Sequence, residues 1–224
     1  MNHQPVSGDC SSDTMKTPSA TRLVLLGCLL GFGCGTAVPE VAEIPVDRLA
    51  PTTLYPMLEN AQWVYDVDTG GGEPPTLGIF EVVERQGDTA QIANNRGMDR
   101  HGQVTYGDPI GYTIEEQGIR HIQSDGWLLR RPIEADAEWP SLNGRTARVT
   151  NIDMSAEVFS GTYEHCVEVT ETGDQAGRTI RTVYCPQVGP VIIESSLTTQ
   201  LTMREVSTRA SLRSYDDGAA GDEL

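Results

Sequence analysis

Lysine is nearly missing from this chain: Lys16 is the only one, and the other fifteen of its sixteen cations are arginines, against 32 acids. The formal net charge of −16 excludes nucleic acid and anionic lipid surfaces as partners of the main body, because both would be repelled. Aromatic residues are scarce, at 6%. The longest apolar run, Leu23 to Phe32, covers about ten residues, where a bilayer-spanning helix needs roughly twenty. Beyond that run no helical period of apolar residues is sustained, which leaves no helix for a phosphate-binding glycine loop to open. GxSxG, HExxH and CxxC are all missing. His3, His101, His121 and His165 lack metal-ligand spacing, and acid pairs such as Glu115-Glu116 and Asp216-Asp217 point to opposite faces of a strand. No catalytic residue, metal site or cofactor is therefore assigned.

What is present begins with an address. "RLVLLGCLLGFGCG", Arg22 to Gly35, has the short apolar stretch and positive flank of a secretory signal, and Met15 is an alternative start. The Gly-Cys-Gly that follows resembles a bacterial lipoprotein signal, in which the cysteine becomes the acylated N-terminus. Cys34 ends a run of the right length and is the expected attachment residue; Cys28, in "LLGC", is the alternative. Several acyl chains on one cysteine make a stable anchor, each buried methylene adding about 0.8 kcal/mol. The terminal "GDEL" resembles a retrieval signal but lacks the usual first residue, and reads better as the end of an acidic tail.

Residues 1–34 are thus a signal segment. Residues 35–58, with Pro39, Pro45, Pro51 and Pro56, form an extended tether, 59–213 a β-domain, and 214–224 a disordered acidic tail. The β assignment rests on short alternating runs, from "AQWVYDVDT" at Ala61 to "LTMREVSTRASLR", broken by turn signals such as Gln86-Gly87-Asp88. About ten such strands in succession predict an all-β antiparallel meander. A sheet that wide must curl, so a strongly curved sheet, half-barrel or barrel is expected, with a two-sheet sandwich as the alternative.

Once the chain is exported, Cys166 and Cys185 are the cysteines left besides the anchor. Pairing their strands symmetrically about Gln175 and Ala176 sets them opposite each other and predicts a disulfide, with a metal or redox pair as the competing reading. The same register puts Tyr163, His165, Val167 and Val169 on one face with Ile180, Thr182 and Tyr184. Glu164, Glu168 and Arg181 then share the other face with the sulfurs. The three tryptophans, Trp63, Trp127 and Trp139, are expected in core or rim packing. Arg130-Arg131 is read as solvated edge charge.

Three segments carry a resemblance: "WVY" at Trp63, "PIEADAEW" at Pro132 and "YCPQVGPV" at Tyr184. They resemble the W-x-Y, P-I/L-x-x-G-x-x-W and Y-A/C-P-G-V-G-x-V markers of a family of uncharacterised bacterial secreted β-domains, many of them lipoproteins. Asp136 and Gln187 stand where that family has glycine, and Gly189 is retained. The likeness runs over about residues 55–205 and implies a curved sheet loosely similar to those of lipoprotein and lipid-carrier proteins. It implies no reaction.

Together these readings describe a non-catalytic lipoprotein of the bacterial envelope, in the outer membrane, whose curved sheet binds an amphiphile or an envelope protein. The alternatives are a structural component with a filled interior and, third, an unidentified hydrolase. The anchor is directly testable by metabolic labelling with a clickable fatty acid. Cys34→Ser should lose both label and membrane association while Cys28→Ser keeps them; the opposite pattern moves the attachment to Cys28, and no label in the wild type removes the anchor.

Overall fold

The fold was derived from a computed structural model, which describes residues 47–98, 104–173, 177–198 and 205–219. Cys28 and Cys34, with the whole signal segment, lie outside these residues, as do His3 and His101. Among these described residues thirteen antiparallel strands make up one sheet. In chain order they are β1 (Gln62–Asp68), β2 (Thr76–Gln86), β3 (Thr89–Met98), β4 (Val104–Tyr106), β5 (Ile110–Glu115), β6 (Gly118–His121), β7 (Trp127–Arg130), β8 (Glu138–Pro140), β9 (Thr146–Val158), β10 (Gly161–Thr172), β11 (Arg178–Cys185), β12 (Gly189–Thr198) and β13 (Glu205–Asp216). Among the described residues, helix is confined to α1 (Pro51–Leu54) and a 3-10 turn at Leu142–Gly144. No helix among the described residues is long and apolar enough to cross a membrane.

The spatial order is β7-β6-β5-β3-β2-β1-β13-β12-β11-β10-β9-β8, with β4 paired to β3. It is a meander with one long-range junction, β1 on β13, where Gln62 meets Asp216 and Asp68 meets Arg209. That junction joins a half built from β1–β7 to one built from β8–β13. The sheet curls until its edge strands touch, the Trp139 indole donating to the Trp127 carbonyl at 3.2 Å. The expected curved sheet is thus a nearly closed barrel.

Local chemistry explains the path. Gly87 opens the two-residue β2–β3 turn at φ 52°, the first-position glycine that a type II′ hairpin requires. Asp136 and Gln187 hold φ of 67° and 65°, so the left-handed backbone is kept where the resembling family has glycine. Asp136 is held by its amide on the Val149 carbonyl and its carboxylate on Arg148. Gln187 is held by its amide on the Thr53 carbonyl. Gly189 is irreplaceable for a different reason: a Cβ there would stand 2.9 Å from the Trp63 indole nitrogen.

Inward residues alternate along the strands. Trp63, Tyr65, Val82, Ile119, Leu129, Val149, Val167, Val169 and Leu212 are all essentially inaccessible, each contributing roughly 1.5–3 kcal/mol of burial. Two segment boundaries differ from expectation. Residues 47–58 do not continue a free tether: Leu54, Tyr55 and Met57 are buried, because α1 and the chain after it pack into one end of the barrel. At the other terminus, Ser214–Asp216 belong to β13, paired to Gln62–Val64, so no free tail starts at 214.

The hairpin register is as the sequence predicts, Val167 facing Tyr184 and Glu171 facing Ile180, and Cys166 and Cys185 form a disulfide. Two details depart from it. His165 sits at φ 59° in a bulge, which turns its ring out to solvent. The sulfurs do not share an open face with the charges; both cysteines are buried. The β9–β10 hairpin overshoots β11, and its tip lies on β13, where Ser160 donates to the Leu212 carbonyl and Arg213 stacks on Phe159. This second layer accounts for the burial of Cys166, Val183 and Cys185, which face outward by strand parity.

Closing a loop of 19 residues is worth about 3 kcal/mol in the chain-entropy model. Cys166→Ala/Cys185→Ala should therefore lower the midpoint of thermal unfolding by roughly 6–12 °C for a domain of this size. An unchanged midpoint, or two free thiols in the non-reduced protein, would remove the crosslink from the account.

Candidate functional site

Four cross-strand registers define the levels of the barrel interior. At the lower level Tyr184 meets Pro190, Trp63 meets Phe80, and Ala90 meets Tyr112. At the upper level Ser195 meets Thr208 and Val67 meets Thr76. The lower end is closed. Tyr55, fixed behind α1, lies edge-on to Trp63 at 5.1 Å, and the Trp63 indole donates to the Val188 carbonyl at 2.6 Å. Trp63 also stacks on Tyr215 at 5.4 Å.

Above this floor is a cavity of about 260 Å³. Its wall is largely apolar: Phe80, Ile92 and Leu128 come from one half of the sheet, Ile180, Pro190 and Ile193 from the other. A second space of about 310 Å³ shares Phe80, Asn94 and Ile193 with the first and extends it toward Val67, Leu77 and Thr208. Together they form an elongated interior rather than a solid core.

Two kinds of polar group interrupt the apolar wall. The first is the phenol set. Tyr65 donates to the Pro190 carbonyl at 2.7 Å and is buried. Burial and the neighbouring Glu171 carboxylate push the Tyr112 phenol up to about 12. Tyr184 is raised further, by burial first and Glu171 second, and Tyr55 and Tyr65 are raised by burial and by one another's neighbourhood of phenols. These groups stay neutral across the physiological range.

The second is an ion pair. Arg145 Nε donates to Glu171 Oε2 at 2.8 Å, with each side chain only 7% exposed. Arg145 reaches the wall because Asn143 and Gly144, both at positive φ, turn the chain into β9. Glu171 reaches it by parity, two residues beyond Val169 on the inner face of β10. Alternation could have revealed Glu171, since a carboxylate in phase with Val167 and Val169 must point inward. Nothing local in the sequence marks Arg145, which arrives from a turn.

The remaining sequence candidates lie apart from this space. His165 Nδ1 is 2.7 Å from Asp153 on the surface, which holds the Asp153 carboxyl below its usual range. His121 bonds Ser124 at 2.7 Å, and burial lowers its pKa. No group of three or more His, Cys, Asp or Glu suited to a metal occurs among the described residues. Trp63 and Trp139 are core residues, and Trp127 is a rim residue flanked by Arg120 and Arg130 at 5.6 and 5.5 Å. Arg131 pairs with Asp47 at 2.9 Å, both half-exposed.

No protein-family model matches the chain, and no curated protein matches it. Two solved structures are similar to it. One is assigned as an exported protein with a YmcC-like fold, from Bacteroides fragilis. It has 10% identity and a TM-score of 0.48, over 70% of this chain and 96% of that one. The other is assigned as a lipoprotein, from Parabacteroides distasonis, with 14% identity and a TM-score of 0.42, over 73% of this chain and 98% of that one.

The raised phenols link stability to alkaline pH. A tyrosine whose folded pKa exceeds its unfolded value of about 10 stabilises the fold fully below pH 10, and that contribution is lost as pH rises toward the folded value. Denaturant unfolding should give constant stability from pH 8 to about 10 and a decline toward pH 12, reduced in Tyr112→Phe. A decline of equal slope in Tyr112→Phe would show that this phenol is not buried as described.

Proposed function

We propose that this chain is a non-catalytic lipoprotein of the bacterial envelope that holds an amphiphile inside its barrel. The observation that carries the reading is the elongated apolar space above the Trp63 floor, about 260 Å³ in its lower part. A structural element with its interior filled by its own side chains would leave no such space, because packed interiors contain few voids larger than a water molecule. The polar groups on its wall are engaged with the protein itself: Tyr65 with Pro190, and Arg145 with Glu171. Such groups orient a bound molecule and do not form a nucleophile with a base, which supports the non-catalytic reading.

The lipid anchor at Cys34 fits the same picture. Residues 35–46 separate that cysteine from Asp47, where the described domain begins. Twelve residues reach at most ~40 Å, so the barrel would remain within one domain diameter of the bilayer that supplies its ligand. The acidic body keeps the domain from lying on anionic headgroups. Residence in the outer membrane, with access to envelope lipids, is part of the same proposal.

The full chain, purified from the envelope and exchanged from detergent into amphipol, should retain an amphiphile detectable by solvent extraction and mass spectrometry. It should also bind a neutral naphthylamine probe at one site. Ile193→Trp fills the space shared by the two cavities and should weaken probe binding at least tenfold with an unchanged or higher midpoint of thermal unfolding. Equal binding by Ile193→Trp, with nothing extracted from the wild type, would refute the interior as a ligand site.

A further inference from the structure

Resting on the reading of the interior as a ligand site, we infer that its occupant is uncharged: a single-chain amphiphile with a hydroxyl- or amide-bearing head, of the monoacylglycerol kind. Charge accounting on the walls leads to this class. Among the described residues lining the two joined cavities, the ionised groups are Arg145 and Glu171, and these neutralise each other at 2.8 Å. The phenols beside them are held neutral by burial. A ligand carboxylate or phosphate would therefore enter an interior with no spare positive charge, inside a chain whose net charge is −16. A ligand ammonium would find its only anion already paired. Either ion would lose hydration without gaining a counter-charge.

An uncharged head meets the opposite situation. The upper space is lined by the Asn94 amide and the Ser195 and Thr208 hydroxyls, which offer both donors and acceptors. Below it, Ile180, Ile193 and Phe80 accept a chain. Size agrees. One benzene occupies a cavity of about 150 Å³, so about 260 Å³ takes a chain of roughly ten carbons. The head then falls in the adjoining space of about 310 Å³.

The test compares three ligands with one chain: monodecanoylglycerol, decanoate and decylammonium, titrated against the neutral naphthylamine probe on the full chain in amphipol. Monodecanoylglycerol should displace the probe at least tenfold more effectively than either ion. Glu171→Gln removes one negative charge from the wall, and its ranking should shift in favour of decanoate. Arg145→Gln leaves Glu171 uncompensated and should favour decylammonium. Arg145→Gln/Glu171→Gln removes both charges and should restore the preference for the neutral ligand. Because each result is a ratio of ligands on one protein, a partial loss of folded material does not disturb it, and the double variant keeps a neutral wall if a single variant fails to fold. Decanoate or decylammonium binding the wild type as tightly as monodecanoylglycerol overturns the inference while leaving the interior as a ligand site. Failure of all three, and of the probe, overturns the reading beneath it.

Discussion

The barrel depends on one indole. Trp63 is wholly buried, donates to the Val188 carbonyl at 2.6 Å, stacks on Tyr215 and meets Tyr55 edge-on. Those three contacts tie together β1, β13, the turn between β11 and β12, and the segment that precedes the sheet. A curled sheet has two open ends by construction, and an interior can hold something only if at least one is stopped. Here the stopper is local chemistry: the indole needs the Val188 carbonyl within hydrogen-bond reach, and that reach exists because Gly189 carries no Cβ. The burial of Leu54, Tyr55 and Met57 then follows, since the incoming chain packs against the face that Trp63 presents. The entry segment is thus part of the fold.

The outer surface obeys a second constraint, set by sixteen excess negative charges. Across β11, β12, β13 and β1 the register aligns Arg181, Glu194, Arg209 and Asp68 in alternating sign. Arg181 forks between Glu168 and Glu194, and Glu194 in turn bridges to Arg209. Single exposed pairs contribute about 0–1 kcal/mol, but a row of this kind opposes register slip, because a one-residue shift would set each charge opposite an uncharged residue such as Ile193, Ser195, Thr208 or Ala210 and break every pair in the row. It also rationalises the near absence of lysine. Arginine presents a planar fork to two carboxylates at once, and an ammonium does not.

Much of this was legible in the residues. The alternation in "AQWVYDVDT" placed Trp63 and Tyr65 on one face, and the symmetry of the Cys166–Cys185 segment fixed its register residue by residue. Both succeed for the same reason: strand parity is a property of the chain alone. What was not legible came from elements that leave the strand. The β9–β10 tip folds back over β13, so parity predicts an exposed Cys166 where the second layer buries it. The bulge at His165 breaks parity outright. Asp47–Leu58 read as a proline-spaced linker because four-residue α1 has no period to detect. Arg145 enters the interior from a turn, so only the three-dimensional path brings it to Glu171.

That pair bears on what the interior is for. Buried ion pairs add little to folding, since desolvation offsets their attraction and an apolar pair of similar volume is often as stable. Arg145 and Glu171 are therefore poorly explained as stabilisers, although losing one alone would cost several kcal/mol by stranding the other. Their position is the better guide. Both line the lower cavity, where burial first and the Glu171 carboxylate second hold the Tyr112 and Tyr184 phenols protonated. The result is a wall that contains dipoles and one compensated pair but no net charge, within a body that is strongly negative outside. A gradient of that kind, from repulsive surface to electrically neutral interior, is the physical basis of the proposed preference for an uncharged chain against Phe80 and Ile193, since an ion of either sign would lose hydration at this wall without meeting a free counter-charge.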